Sequence, residues 1–168
     1  MNLVLIGYRG TGKSTVAQLL AKQLGMEVVS LDQEIVQQAG RSIPEIVAEQ
    51  GWPYFRNLES QVTKRVAQRD NLIIDAGGGV ILRQENVEHL RRNGRLFWLR
   101  AAVPVIVARI ETGTERPALT AGKSFTEEVE EVLRARTPLY EAAADYRIDT
   151  DNITAEQAAA EVARLYTA

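Results

Sequence analysis

A glycine-rich motif near the N-terminus constrains the fold of this chain more than any other stretch. An apolar run from Leu3 to Ile6 leads into residues 7–15, which read GYRGTGKST and match the pattern G-x-x-x-x-G-K-S before a helical pattern begins. Glycines at these places let the backbone curl so that successive N–H groups point at one anion. The next helix begins near Lys13, and its N-terminus favours the same anion. The motif predicts a phosphate-binding loop; the alternative is a glycine-rich turn that binds nothing.

The residues of this loop have distinct expected roles. Lys13 is long enough to reach the β- and γ-phosphates of a nucleotide, and the Ser14 hydroxyl can ligate Mg²⁺. The predicted nucleotide-contacting residues of the loop are Gly10, Thr11, Gly12, Lys13, Ser14 and Thr15.

Composition excludes several classes of function. The chain has 168 residues, of which 45% are hydrophobic and 25% charged, as in a single soluble domain spanning residues 1–168. A net charge of -2 gives no global attraction to nucleic acid or to an anionic membrane. There are no cysteines, no apolar run of membrane-spanning length and no signal-peptide pattern at the N-terminus. We expect a soluble cytoplasmic protein.

Strand and helix patterns alternate along the chain. The five expected strands are Leu3–Ile6, Val28–Leu31, Leu72–Asp75, Leu96–Leu99 and Tyr146–Ile148, with helical patterns between them, including one from Gln33 to Ala39. This alternation predicts an α/β fold with a central parallel sheet covered by helices on both faces. Such sheets bind ligands at the carboxyl ends of their strands, so the glycine loop, Asp32 and Asp75 should meet in one crevice.

The stretch from Ile73 to Gly79 reads IIDAGGG and is the second informative motif. An aspartate at a strand end, here Asp75, is a frequent complement of a phosphate loop and can hold Mg²⁺ directly or through water. The glycines let a second molecule approach the backbone closely. The alternative is a helix-capping aspartate followed by a flexible turn. Asp75-x-x-Gly78 also fits the short D-x-x-G of GTPases, but the chain has no N-K-x-D segment to read guanine.

Later motifs make a resemblance specific. In order and approximate spacing, the following stretches resemble shikimate kinases: Gly7–Thr15, Asp32–Gly40 with Ser42-Ile43, Phe55-Arg56-x-x-Glu59, Gly77–Gly79, Arg116-Pro117 and Arg136-x-Pro138-Leu139-Tyr140. The resemblance covers nearly the whole chain. It implies transfer of a phosphoryl group from ATP, with Mg²⁺, to the 3-hydroxyl of shikimate. The implied fold is the three-layer P-loop kinase fold of the nucleoside monophosphate kinases, with a mobile lid.

The resemblance also implies how the acceptor is bound. Arg56 and Arg136 match the pair that grips the shikimate carboxylate, and planar guanidinium groups suit bidentate contacts with a carboxylate. Glu59, one helical turn after Arg56, matches the residue that orients it. The substrate-binding region is about 32–69, and the backbone of Gly77, Gly78 and Gly79 would contact substrate hydroxyls.

A stretch rich in Gly, Thr and Pro, about 111–124, shows little periodicity and is the expected lid. Arg116 within it matches the lid arginine that closes over the transferring phosphate. Arg109 matches a basic residue beside the adenine ring.

One position departs from the family pattern of D-x-D after the second strand. Counting back from Gly40, Asp32 matches the second aspartate, near the reacting hydroxyl, and the first position is Ser30. Glu34 would then lie inside the following helix. Asp32 is the expected catalytic residue that orients the hydroxyl and accepts its proton, together with Lys13 and Arg116. We hypothesise that Asp75 replaces the missing carboxylate near Mg²⁺, as a partner of Ser14.

Other residues and functions remain open. Trp52 fits either the pocket wall or ordinary packing, Trp98 fits the core, and His89 fits a solvated helix face. The rival functions are a P-loop kinase for gluconate or a nucleoside monophosphate, and a nucleotide-binding regulator without catalysis. We expect a monomer with a small-molecule substrate.

Overall fold

The computed structural model describes residues 1–110 and 124–168. The strands within these residues are β1 (Asn2–Ile6), β2 (Glu27–Ser30), β3 (Leu72–Asp75), β4 (Gly94–Arg100) and β5 (Tyr146–Asp149). The helices are α1 (Lys13–Leu24), α2 (Leu31–Ala39), α3 (Ile43–Gln50), α4 (Trp52–Ala67), α5 (Gln84–Arg92), α6 (Val103–Ile110), α7 (Phe125–Ala143) and α8 (Ala155–Thr167), with a 3₁₀ turn at Val80–Leu82. None of the helices described is both long and apolar enough to cross a membrane.

The five strands form one parallel sheet in the order β2-β3-β1-β4-β5, which confirms the predicted central sheet. Leu5 of β1 and Ser30 of β2 both pair with Asp75 of β3. The carboxyl ends of these three strands are therefore in register. Segments that follow them emerge at one edge of the sheet, where the candidate site lies.

Alternate side chains of β1 enter different cores. Leu3 and Leu5 pack with residues of α1 and α8 on one face. Val4 and Ile6 pack with residues of α4, α5 and α7 on the other face. Because strand side chains alternate in direction, a strand covered on both faces reads as a continuous apolar run. A smaller cluster joins Tyr8 of the glycine loop to α6 and α7.

The boundary between β2 and α2 differs from the prediction. Leu31 begins α2 instead of ending the strand, so no loop separates the two elements. Ser30 has extended backbone angles and its hydroxyl accepts a hydrogen bond from the Gln33 N–H at 3.3 Å, which caps the helix. Asp32 consequently lies in the first turn of α2. The predicted lid, 111–124, falls outside the described residues except for Ser124, which caps α7.

Candidate active site

The loop between β1 and α1 presents a bare helix N-terminus to the crevice. Gly10 has a φ of +82°, and a Cβ there would lie 2.7 Å from Ile110 Cγ1, so a side chain would collide with α6. Gly12, with a φ of +89°, stands at the N-cap position of α1 and has no side chain to cap it. The N-terminus of α1 therefore meets the crevice without a side-chain cap, an arrangement that suits an anion.

Lys13 folds back over this loop. Its Nζ donates hydrogen bonds to the carbonyl oxygens of Gly7 at 2.8 Å and Tyr8 at 3.1 Å. The Thr11 hydroxyl donates to the same Tyr8 oxygen at 2.7 Å. Lys13 is only 8% exposed, so a buried ammonium faces the space that phosphates would fill. Bound phosphates offer this ammonium stronger, charged acceptors than the two carbonyls.

Ser14 and Asp75 are in direct contact. The Ser14 hydroxyl donates to Asp75 Oδ2 at 2.7 Å. Burial raises the pKa of the Asp75 carboxyl above its ordinary value, the Lys13 charge and the Ser14 hydroxyl lower it, and the Asp32 charge raises it. Among the described residues, no cluster of three or more His, Cys, Asp or Glu side chains forms a preassembled metal cage. The oxygen pair of Ser14 and Asp75 suits Mg²⁺, which keeps several waters and phosphate oxygens as ligands.

Ser30 pairs with Asp75 across β2 and β3, so the two residues stand side by side at the strand ends. The Ser30 hydroxyl is committed to the N-cap of α2. Glu34 lies within α2, as predicted, and pairs with Arg65 of α4 at 3.1 Å. Glu34 therefore does not supply the missing carboxylate.

Gly77 fits closely between two acidic side chains. A Cβ there would lie 2.9 Å from Asp32 Oδ1 and 3.0 Å from Glu59 Oε2. Glu59 is 1% exposed. The backbone at Gly77 thus brings the first turn of α2 and the middle of α4 to the same point.

Arg56 is held from two sides. Its Nη1 pairs with Glu59 Oε1 at 2.9 Å, as the resemblance implied. Its guanidinium lies 5.2 Å from the ring centroids of both Trp52 and Phe55. Trp52 therefore packs against the predicted substrate-binding arginine and edge-on against Phe55. These contacts fix the direction of the guanidinium before any ligand arrives.

Gly79 gives a direct test of the Arg56 position, because a Cβ at Gly79 would lie 2.5 Å from Arg56 Cζ. Gly79→Ala is expected to displace the guanidinium and raise the KM for the acceptor that the resemblance implies about tenfold or more, since a charged hydrogen bond contributes about 1.5–3 kcal/mol. The control is Gly40→Ala: Gly40 has a φ of +68° and open space around it, so only stability should fall. Steady-state kinetics would show the difference, and an unchanged KM for that acceptor in Gly79→Ala would contradict the placement of Arg56.

Arg136 of α7 approaches the same three glycines, Gly77–Gly79, which form a glycine triplet after β3. It is 8% exposed, and its Nη1 would lie 3.7 Å from a Cβ at Gly78. Burial lowers the pKa of the Arg136 guanidinium from its ordinary value; Tyr140 opposes this shift and the Arg56 charge adds to it. Two like charges that repel in a buried place favour an anion between or beside them.

A cavity of about 280 Å³ collects most of the predicted residues. Its lining residues come from the glycine loop, the start of α1 and the three neighbouring strand ends: Arg9, Gly10, Gly12, Lys13, Ser14, Thr15, Ser30, Asp32, Asp75, Ala76, Gly77 and Gly78. Gly79, the last residue of the triplet, does not line this cavity, and neither do Arg56 and Arg136, which lie beside the triplet. The structure therefore brings a phosphate loop, two carboxylates and two guanidinium groups to one edge of the sheet.

Arg109 lies beside the loop and outside this cavity. Its Nη1 donates to the Gly10 carbonyl at 3.1 Å, and its guanidinium is 3.5 Å from Thr150, just after β5. Arg116 lies outside the described residues.

Tyr140 is the residue near the crevice whose role the sequence reasoning missed. Its hydroxyl donates a hydrogen bond to the Gly78 carbonyl, and its ring is fully buried. The tyrosine was visible in the stretch that begins at Arg136, but nothing in the sequence indicated a partner 62 positions away.

The fold and this crevice define a class: an α/β P-loop phosphotransferase, with a second, anion-binding half facing the phosphate loop. A sequence profile of the shikimate kinase family matches residues 9–167. The chain belongs to the shikimate kinase family.

Individual relatives agree with this assignment. The chain is 40% identical to the shikimate kinase of Thermodesulfovibrio yellowstonii over 98% of its own length and 94% of the relative's. It is 43% identical to shikimate kinase 2 of Photorhabdus laumondii over 88% and 85% of the two chains. Among solved structures, the shikimate kinase of Acinetobacter baumannii in complex with shikimate superposes with a TM-score of 0.93 at 32% identity, covering 99% of this chain and 92% of that one.

Proposed function

We propose that this chain transfers the γ-phosphate of ATP to the 3-hydroxyl of shikimate, giving shikimate 3-phosphate and ADP. The observation that carries the proposal is the placement of two largely buried cations against the glycine triplet. Arg56 is 12% exposed and Arg136 is 8% exposed. A Cβ added at Gly79 would meet Arg56, and one added at Gly78 would meet Arg136, so both guanidinium groups lie next to the triplet. A small acceptor with one carboxylate and several hydroxyls matches these cations and the neighbouring backbone of the triplet.

The donor half of the site consists of residues 10–15. The N–H groups at the start of α1 hold the phosphates, and Lys13 exchanges its bonds to the Gly7 and Tyr8 carbonyls for phosphate oxygens. In that position its charge stabilises the negative charge that is redistributed over the γ-phosphoryl group during transfer.

Ser14 and Asp75 are the residues that would hold Mg²⁺. When bound, the ion neutralises charge on the β- and γ-phosphates. The 2.7 Å contact between the two side chains, and the commitment of Ser30 to a helix cap, support our hypothesis that Asp75 takes the place of the carboxylate absent at position 30.

Asp75→Asn is expected to reduce Mg²⁺-dependent turnover far more than Ser30→Ala, which removes only a cap worth about 0.5–2 kcal/mol of stability. In the absence of nucleotide, the asparagine side chain of Asp75→Asn should not destabilise the fold. Burial raises the pKa of Asp75, so the ionised carboxylate is unfavourable above that folded pKa, and replacing it removes that cost. Turnover against Mg²⁺ concentration and thermal melts at neutral pH give the comparison. Equal, mild losses of turnover in both variants would count against the hypothesis.

Asp32 orients the acceptor hydroxyl and accepts its proton as the phosphoryl group departs from ADP. Its place in the first turn of α2, in the same cavity as Lys13 and beside Gly77, supports this role. Arg56, oriented by Glu59, and Arg136 bind the acceptor carboxylate, and the backbone of residues 77–79 contacts its hydroxyls.

The remaining roles concern closure and the adenine. Arg116, in the lid at about 111–124, stabilises charge on the transferring group, and lid closure excludes water that would otherwise hydrolyse ATP. Arg109 lies beside the adenine. Its hydrogen bond to the Gly10 carbonyl of the phosphate loop supports this position next to the bound nucleotide. The substrate-binding region about 32–69 and the lid belong to a single domain spanning 1–168.

We further propose that the enzyme works as a cytoplasmic monomer without nucleic-acid or membrane partners. Its net charge of -2 and its lack of cysteines support this proposal. Light scattering coupled to size exclusion would test it: a mass near 18.6 kDa is expected, and a dimeric mass would contradict it.

An ADP-release assay with shikimate, gluconate and nucleoside monophosphates in parallel tests the acceptor. Shikimate-dependent ADP release well above the rate without acceptor is expected, with little response to the other compounds. Preference for gluconate or a nucleotide would assign a different kinase activity, and binding of ATP without acceptor-dependent release would indicate a regulator.

A further inference from the structure

We propose that Tyr140 is a positioning residue for the acceptor, and that its hydroxyl acts through the backbone of Gly78. The inference rests on the proposed acceptor site and names a residue outside the set assigned to that site. Tyr140 is fully buried on α7, one helical turn after Arg136, and its hydroxyl donates to the Gly78 carbonyl.

The hydroxyl completes the anchoring of the glycine triplet. The Gly77 carbonyl accepts from the Val80 N–H and the Gly79 carbonyl accepts from the Leu82 N–H, each at 3.1 Å. These two bonds belong to the turn that follows the triplet. The Gly78 carbonyl is bound from a different element, by the side chain of Tyr140. Since a peptide unit is planar and trans, fixing this carbonyl also fixes the opposite direction of the Gly79 N–H.

The ring of Tyr140 is itself held in one orientation. It stacks on Trp98 of β4, with centroids 5.6 Å apart and planes inclined by 23°. The direction of the hydroxyl is thus set by the packing of α7 on the sheet. Burial raises the pKa of Tyr140 to about 12, although Arg136, which also hydrogen-bonds this hydroxyl, opposes the shift, so the hydroxyl remains a donor throughout the physiological pH range.

Gly78 lies where the two halves of the site meet. A Cβ at this position would be 3.6 Å from the Gly7 carbonyl oxygen, 3.6 Å from the Arg9 N–H nitrogen and 3.7 Å from Arg136 Nη1. A shift of this peptide therefore moves the backbone groups proposed for shikimate hydroxyls relative to the guanidinium proposed for its carboxylate. The phosphate loop has its own anchors, through Lys13 and Thr11, so nucleotide binding should be less sensitive.

Tyr140→Phe keeps the ring and removes the hydroxyl. We expect the KM for shikimate to rise about two- to tenfold, the usual contribution of a neutral hydrogen bond, with the KM for ATP within about twofold of wild type. The matched control is Tyr166→Phe, which removes a hydroxyl that donates to the Met1 carbonyl at 2.6 Å, far from the crevice. A merely structural role would lower the active fraction, and hence kcat, without separating the two KM values.

Replacing Tyr140 by 4-aminophenylalanine restores an N–H donor at the same place and is expected to recover most of the shikimate affinity. If Tyr140→Phe does not fold, the hydroxyl proton of Tyr140 in the wild-type enzyme provides the readout: shikimate should shift its resonance and ADP alone should not. Unchanged shikimate KM in Tyr140→Phe, parallel rises in both KM values, or no shift with shikimate would each overturn the proposal. An inactive wild-type enzyme would instead refute the proposed function.

Discussion

Replacing Lys13 by alanine is expected to reduce kcat by at least about 10²–10³-fold, the usual effect of removing a preorganised group that stabilises transition-state charge. Lys13 is 8% exposed and is bound to two loop carbonyls, so its ammonium already lies at the loop and exchanges these acceptors for phosphate oxygens when ATP binds, before the transfer step. A preorganised charge in a buried site stabilises the charge that develops in the transition state, because it does not have to reorient during phosphoryl transfer. ADP release at saturating ATP and shikimate measures this effect.

Lys22→Ala is the matched control for this change. Lys22 lies in the last turn of the same helix and is exposed. The control should keep wild-type kcat, and both variants should remain folded by circular dichroism. Substantial turnover by Lys13→Ala, or an equal loss in Lys22→Ala, would contradict the role given to Lys13.

Replacing Arg136 by alanine is expected to weaken shikimate binding by about ten- to a hundredfold or more, since a hydrogen bond to a charged group contributes about 1.5–3 kcal/mol. The ATP affinity should change much less, because Arg136 borders the glycine triplet and does not line the cavity at the phosphate loop. Arg136→Lys should restore little, since an ammonium cannot reproduce a planar bidentate contact. Calorimetric titration with shikimate and with ATP separates the two affinities.

Arg134, two positions earlier on α7 and exposed, supplies the control. Arg134→Ala removes the same charge from the same helix and should bind shikimate as wild type does. A comparable loss in both variants would indicate a general electrostatic effect, and a larger loss for ATP than for shikimate in Arg136→Ala would reverse the assignment.

The sheet was predictable because its central strands, β1, β3 and β4, are covered on both faces. Buried parallel strands read as short apolar runs, and the glycines at 25 and 40 terminate α1 and α2 in left-handed conformations. Because parallel strands end at the same edge of a sheet, the sequence alone predicted that the glycine loop, Asp32 and Asp75 lie together.

The start of α2 was mispredicted because Ser30 fits two patterns equally well. A serine between Val29 and Leu31 continues an apolar run, yet its hydroxyl also caps a helix through the Gln33 N–H. Only the pairing of β2 with β3 decides where the strand ends. That decision has a chemical consequence, since it places Asp32 in a helical turn and commits Ser30 to the cap.

The contact partners of buried side chains could not be predicted from the sequence. The contact of Tyr140 with Gly78, and the packing of Trp52 and Phe55 on Arg56, depend on how α4 and α7 are placed against the sheet. Residue spacing indicates which groups can share a helix face, as for Arg56 and Glu59. Residue spacing does not indicate which side chains of two elements far apart in the chain will contact each other.

The most direct test of the central claim is phosphorus NMR of the product formed from ATP and shikimate. We expect one new phosphomonoester resonance, coupled to the ring proton at carbon 3, whose intensity increases together with the ADP concentration. Inorganic phosphate as the only new species, or an ester at another ring hydroxyl, would contradict the proposed position of the 3-hydroxyl between Asp32 and the phosphate loop.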